Sequence, residues 1–174
     1  DLWLLPFNKK LTNNAPFYSA NKGEQEVPMM SMDAAESFLY GELQGKAQII
    51  RLPYKAAEGK ALAMYFCLPM DTSEEGNATR PSLAEVFDML RQNSWEGIQA
   101  SMKQERVYVQ IPRFELKMKK TFTGSSEENN PLVDMGIASI FSPQQANLQG
   151  IAPRLYIDKI VHELVLVVDE AGTE

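Results

Sequence analysis

The sequence predicts an α+β fold, with antiparallel sheets and a few short helices, on three observations. Short runs of strand character dominate the first part of the chain, a capped helical pair interrupts them, and no regular βαβ alternation appears. In order, the first runs cover residues 26–30, 37–43, 47–54 and 62–68, separated by segments rich in Gly, Ala, Asp and Lys. That spacing predicts an antiparallel meander.

The helical pair starts at Ser82, where Ser82 and Glu85 form a capping-box pattern and Leu83, Val86, Phe87 and Leu90 follow helical spacing. Asn93 and Glu96 repeat the cap signature, and Trp95, Ile98 and Met102 supply a second apolar stripe. From 106 to 119 the chain alternates like a long strand, with Val107, Val109 and Ile111, then Phe114, Leu116 and Met118. Pro112 lies in the middle and cannot donate to a ladder, so two strands in different sheets joined at Pro112 are predicted. Residues 124–130 read as a surface loop, after which Asn130 and Pro131 open a short helix closed by Gly136. The final run, 155–168, is apolar on both alternation phases (Leu164, Val165, Leu166, Val167, Val168), which predicts a strand covered on both faces inside a large sheet.

With 174 residues, 44% of them hydrophobic, the chain is large enough for a substantial core. Its 17 basic residues, against 23 acidic ones, are dispersed and not gathered into a patch, which argues against a nucleic-acid partner. No uninterrupted apolar stretch reaches the roughly 18 to 20 residues of a membrane span, and the first residues lack the basic-then-apolar pattern of a signal peptide. Cys67 is the single cysteine, so an internal disulfide is excluded, and its apolar setting predicts a buried thiol. Asn77, Ala78 and Thr79 form a glycosylation sequon in a polar stretch, which favours an extracellular location with sugar on Asn77.

Catalytic chemistry finds no purchase. His162 is the only histidine, and its apolar neighbours predict a hydrogen-bonded core residue and not a general base. One His and one Cys make no metal-ligand cluster, and no glycine-rich phosphate loop is present, so no metal or cofactor is expected. The acidic pairs Glu74, Glu75 and Glu127, Glu128 read as solvated loop residues.

Several short motifs, taken in order, carry a family resemblance. They are Trp3 with Pro6 and Phe7, then Val27-Pro28-Met29-Met30, Leu52-Pro53-Tyr54 and Leu68-Pro69, followed by Ile111-Pro112-Arg113-Phe114. Beyond these come Met135-Gly136, Phe141-Ser142, Asn147-Leu148-Gln149-Gly150-Ile151, Val161-His162 and the closing Val168-Asp169-Glu170-Ala171-Gly172-Thr173-Glu174. The series resembles the serpin family of serine-protease inhibitors. Asn147, Glu163 and Asp1 depart from the family pattern, where Asp, Lys and Gly are usual, as do Leu2, Leu4 and Leu5 around Trp3, where polar residues are common, and none of them lies within the closing motif.

The resemblance implies parts of the three serpin sheets, termed A, B and C, in a single incomplete domain over residues 1–174. The family's N-terminal half and reactive loop lie outside that stretch. It further implies a suicide substrate: a serine protease, or as a second choice a cysteine protease, attacks an exposed loop, which then inserts into the central sheet. No catalytic residue is required of such an inhibitor, and the protein is not expected to be an enzyme. By resemblance, Glu170, Ala171, Gly172, Thr173 and Glu174 form the hinge of that loop, with Gly172 tolerating both conformations. Trp3, Arg113 and His162 belong to the region where the sheet opens, Glu170 meeting Arg113 near Trp3. A non-inhibitory serpin acting as a carrier or binding protein is the alternative. The chain by itself is expected not to trap a protease.

Overall fold

The computed structural model describes residues 1–19, 23–56, 59, 61–71, 80–124 and 130–174. They form two compact units, Asp1–Phe114 with Val167–Glu174, and Glu115–Leu166. The fold is α+β with three sheets and short helices, as the sequence predicts.

In the first unit, β1 (Asn13–Ser19) and β2 (Gly23–Ser31) form an antiparallel hairpin, and β7 (Gln110–Pro112) pairs with the other edge of β2. Pro16 is tolerated in β1 because that strand is paired on one side only, which leaves a position where no ladder donor is needed. A second sheet has the order β5-β4-β3-β6, from β3 (Glu36–Leu43), β4 (Ala47–Pro53), β5 (Ala63–Pro69) and β6 (Lys103–Val107). The expected meander is therefore three strands long. The run at 26–30 belongs to a different sheet, where it pairs with a strand that sequence reading missed.

Helices α1 (Leu83–Gln92) and α2 (Trp95–Ser101) supply the other half of this unit's packing. Val86, Met89, Ile98 and Met102 close over Leu43, Ala47 and Ile49 of the four-stranded sheet. The thiol of Cys67 packs against this cluster half-buried, not fully buried as expected, because its strand is an edge of the sheet. Burial still pushes that thiol's pKa up.

Ser82 caps α1 in the expected capping box: the Glu85 N–H donates to Ser82 Oγ at 3.3 Å, and the Ser82 N–H donates to the Glu85 carboxylate at 2.7 Å. The second cap is Ser94 and not Asn93. Asn93 has an amide donor, which it spends on the orphan carbonyl of Met89 at 2.7 Å, while Ser94 Oγ accepts from the Gly97 N–H at 3.0 Å.

The alternating run after α2 passes through three sheets. Its first part, β6, pairs with β3, then β7 pairs with β2, and β8 (Phe114–Thr123) pairs with β9 (Lys159–Val168). The expected change of sheet at Pro112 holds for Ile111 and Phe114. Val107, however, is separated from Ile111 by a second, unexpected change at Tyr108 and Val109. Alternation continues around such a corner, so periodicity does not register that the partner strand has changed.

The second unit joins β8 and β9 through α3 (Pro131–Asp134), which Asn130 caps by accepting from the Leu132 N–H at 3.2 Å. Its end is a Schellman motif, with Gly136 at φ 84°, the Gly136 N–H on Val133 O (2.9 Å) and the Ile137 N–H on Leu132 O (2.8 Å). Residues 155–158 are not strand, and β9 is not covered on both faces: Val161, Leu164 and Val165 are exposed. An apolar pattern on both phases states what a strand is suited to bury, without stating which part of a protein supplies the cover.

Hydrogen bonds from Ser82, first from its backbone N–H and then from its hydroxyl, hold the Glu85 carboxyl below the usual glutamate pKa. A depressed carboxyl contributes stability that is present above its unfolded value and lost as pH falls through the folded one. Helix content of a peptide spanning residues 80–101, followed by circular dichroism on acidification, is expected to fall through that range. Glu85→Gln is expected to flatten that part of the profile.

Candidate functional site

The end of β9 turns sharply. The Asp169 N–H donates to Gly172 O at 3.0 Å, and Asp169 Oδ1 accepts from the Ala171 and Gly172 N–H groups at 2.8 and 3.0 Å. An aspartate suits this place because its short side chain can satisfy backbone donors two and three residues on. Having turned, the chain lies back along β9: Val168 bridges Thr173, and Val167 and Glu174 exchange both backbone hydrogen bonds, at 2.9 and 3.0 Å.

The other side of this short return segment is also paired. The Thr173 N–H donates to Asp1 O at 2.8 Å, the Asp1 amino group donates to Thr173 O, and Leu2 bridges Gly172 antiparallel. Residues 172–174 are thus a third strand between the end of β9 and Asp1-Leu2. Next in line, Leu2 O accepts from the Lys55 N–H and the Leu4 N–H donates to Pro53 O, both at 2.8 Å.

Side chains fasten this arrangement from within. Trp3 is 1% exposed and stacks on Tyr54 with ring centroids 4.7 Å apart and an interplanar angle of 9°. Its Nε1–H donates to Asp169 O at 2.9 Å, and its backbone N–H donates to Ala171 O at 2.9 Å. The hydroxyl of Thr173 donates to the Tyr54 hydroxyl at 2.9 Å. Gly172 is required for close approach: a Cβ there would stand 2.0 Å from Asp1 O and 2.9 Å from the Leu2 Cα. Its φ is not left-handed, so the conformational freedom expected of it is not what this arrangement uses.

Glu170 is 3% exposed, and its Oε1 accepts from Thr12 Oγ1 at 2.7 Å while lying 3.6 Å from the half-exposed Arg113 guanidinium. Arg113 is placed by the exit from β7, where its N–H donates to Pro28 O at 2.8 Å. An open cleft of about 330 Å³ lies over this pair, lined by Lys9, Thr12, Asn14, Pro28, Arg113, Asp169 and Glu170.

Of the residues expected from the sequence, Trp3, Arg113, Glu170, Ala171, Gly172, Thr173 and Glu174 come together here. His162 lies on β9 within the other unit, where it is exposed and its side chain has no hydrogen bond among the described residues, in place of the enclosed, hydrogen-bonded setting expected. Its apolar neighbours are themselves exposed, and so enclose nothing. Asn77 lies outside the described residues. The sequence carries no sign of Thr12, since nothing near it marks a contact 158 residues distant, and it presents Tyr54 only as the end of a strand motif. Among the described residues there is no cluster of metal ligands. The chemistry available is backbone pairing, a segment held as an added strand by main-chain hydrogen bonds.

A family profile described as serpin (serine protease inhibitor) matches residues 2–174. Among similar proteins, an uncharacterized serpin-like protein of Methanosarcina acetivorans is 35% identical over 99% of this chain and 36% of its own length. Intracellular coagulation inhibitor 1 of Tachypleus tridentatus (99% of this chain, 38% of its own) and the human leukocyte elastase inhibitor (99% and 43%) are each 30% identical. In structure, the chain superposes on a serpin from Schistosoma mansoni with a TM-score of 0.75 and 25% identity, covering all of this chain and 43% of that one. The chain belongs to the serpin family. It spans well under half the length of these relatives, one of which is intracellular by name.

Gly172→Ala places a methyl group against the Asp1 carbonyl, so the short strand must move away from Asp1-Leu2. Forced overpacking of this kind costs about 1–3 kcal/mol. Thermal or denaturant unfolding of the variant checks the expected loss, together with faster hydrogen exchange at the Thr173 amide.

Proposed function

We propose that the protein carrying these residues inhibits serine proteases as a suicide substrate, with Glu170, Ala171, Gly172, Thr173 and Glu174 as the hinge of its reactive loop. The observation that carries this reading is the lodging of residues 172–174 as a strand between Asp1-Leu2 and the end of β9. A segment following Glu174 in the same direction would extend that strand, which is what loop insertion demands. The family's description as serine protease inhibitors, and the name of the human relative, support serine proteases as the target class.

In this mechanism the protease's serine oxygen adds to a loop carbonyl, the peptide C–N bond breaks, and the amine leaves with a proton. The loop stays attached as an ester. Water can then release the loop as a carboxylate and regenerate the serine, or the freed loop can insert first and trap the ester. Insertion is favoured by each new pair of backbone hydrogen bonds and each side chain removed from water. Glu170, under Arg113 and beside Thr12, would hold the base of the hinge while the strand beyond it moves. Trp3 and Arg113 mark the mouth of the opening, with His162 further along β9, and residues 1–174 act as one part of a larger serpin domain. We place the protein outside the cell on the strength of the sequon, with Asn77 glycosylated.

The intact protein is expected to form a stoichiometric, SDS-stable complex with at least one protease in a panel of trypsin-, chymotrypsin- and elastase-like enzymes, with a papain-like enzyme included for the second class. Thr173→Arg sets an unpaired charge into the inserting strand, and burial of such a charge is costly enough to favour hydrolysis by at least about tenfold. More inhibitor should then be consumed per protease trapped. Failure of the whole panel, or trapping by Thr173→Arg at unchanged stoichiometry, would overturn the assignment. A mass shift on deglycosylation of the secreted protein tests Asn77.

A further inference from the structure

Tyr54 has no part in the mechanism described above, yet its hydroxyl holds the side chain of the hinge residue Thr173. The Tyr54 ring is buried and stacked flat on Trp3, itself fixed by its Nε1 hydrogen bond to Asp169 O. The phenol oxygen is therefore set in place before any partner arrives, and little rotamer freedom remains to be lost on binding. Thr173 reaches it at 2.9 Å while its backbone is paired with both Asp1 and Val168. The side-chain bond and the inserted backbone position thus occur together.

We infer that Tyr54 is a positioning residue for loop insertion, its hydroxyl accepting a hydrogen bond from residue 173 and so favouring a hydroxyl-bearing side chain there. This rests on the inhibitory reading and deepens it. The bond is made with residue 173 lying between its two neighbouring strands, so it stabilises the inserted position. Threonine suits the position doubly: the hydroxyl meets Tyr54, and the β-branched side chain favours extended backbone. A valine would match its shape and strand preference without the donor.

The intact protein, with Tyr54→Phe, Thr173→Val, Thr173→Ser and the Phe/Val double variant, separates this role from a packing role. A net hydrogen bond is worth about fivefold in a rate or equilibrium ratio. Tyr54→Phe and Thr173→Val are each expected to raise the ratio of hydrolysed to trapped inhibitor about fivefold. The double variant should be no worse than either single one, and Thr173→Ser should restore trapping. Because phenylalanine keeps the stack on Trp3, the melting temperature of the uncleaved Tyr54→Phe protein should fall by no more than that of Thr173→Val. A second measurement does not depend on trapping: after the loop is nicked by a non-target protease, the melting temperature of the cleaved form should drop in Tyr54→Phe relative to wild type. If wild-type protein traps a protease while both single variants trap equally well, or if their effects add in full, the positioning role is wrong. Should wild-type protein trap nothing, the inhibitory reading fails, and the melting of the cleaved forms alone decides the role of Tyr54, an unchanged value refuting it.

Discussion

Almost everything at the end of β9 depends on the backbone of Asp1, Leu2 and Trp3 being satisfied on two sides at once. On one side Leu2 and Leu4 pair with Lys55 and Pro53; on the other, Asp1 and Trp3 pair with Thr173 and Ala171. Trp3 is buried, and a buried backbone polar group without a partner is costly, so at that residue the pairing matters most. Residues 172–174 fill the second place, and their own outer edge is closed by Val167. The stacked Trp3 and Tyr54 rings set the depth of this arrangement, and the turn at Asp169 sets its direction. Removing the return strand would leave both Asp1-Leu2 and Val167 with open ladder positions.

The arrangement of Glu170 follows from the same constraint. Its carbonyl accepts from the Phe7 N–H, which pins the residue below the surface, and its carboxylate is then committed to burial. The Thr12 hydroxyl and the nearby guanidinium of Arg113 meet that charge, Thr12 closely and Arg113 at a longer distance. Because Arg113 is half exposed, its attraction is partly screened by water. The short hydrogen bond from Thr12 is accordingly the firmer of the two restraints.

Local pattern revealed the elements whose pairing is local and whose faces differ. Strands β3, β4 and β5 were legible within a residue or two, and the Ser82 capping box was legible to the atom, since all of its chemistry lies within four residues. Strand β1 was not: Asn13, Asn14 and Pro16 are poor strand formers, and only the pairing with β2 makes them extended. The second cap was ambiguous because Asn93 and Ser94 are both good cap residues, and the choice turned on a carbonyl of the preceding helix. The meeting of Trp3, Arg113 and Glu170 came from family resemblance, since residues so far apart in sequence leave no local trace of contact. The exposed apolar residues of β9, Val161, Leu164 and Val165, fit a chain that spans well under half the length of its relatives.

One corner of the fold has a geometrical consequence of its own. The β2/β7 pair and the β3/β6 pair are a single antiparallel ribbon that bends from one sheet into the other between Ser31↔Gln110 and Glu36↔Val107. Around that bend one lane contains four residues, Met32, Asp33, Ala34 and Ala35, whereas the other contains two, Tyr108 and Val109. The lanes are tied together by the Met32 N–H on Val109 O at 3.3 Å and by the Arg106 side chain on Ala35 O at 3.0 Å. As on a running track, the longer lane must take the outside, so the difference in residue count sets the direction of the bend. Adding or deleting one residue in either lane would alter that curvature and, since strand faces alternate with a period of two, turn the following side chains to the opposite face.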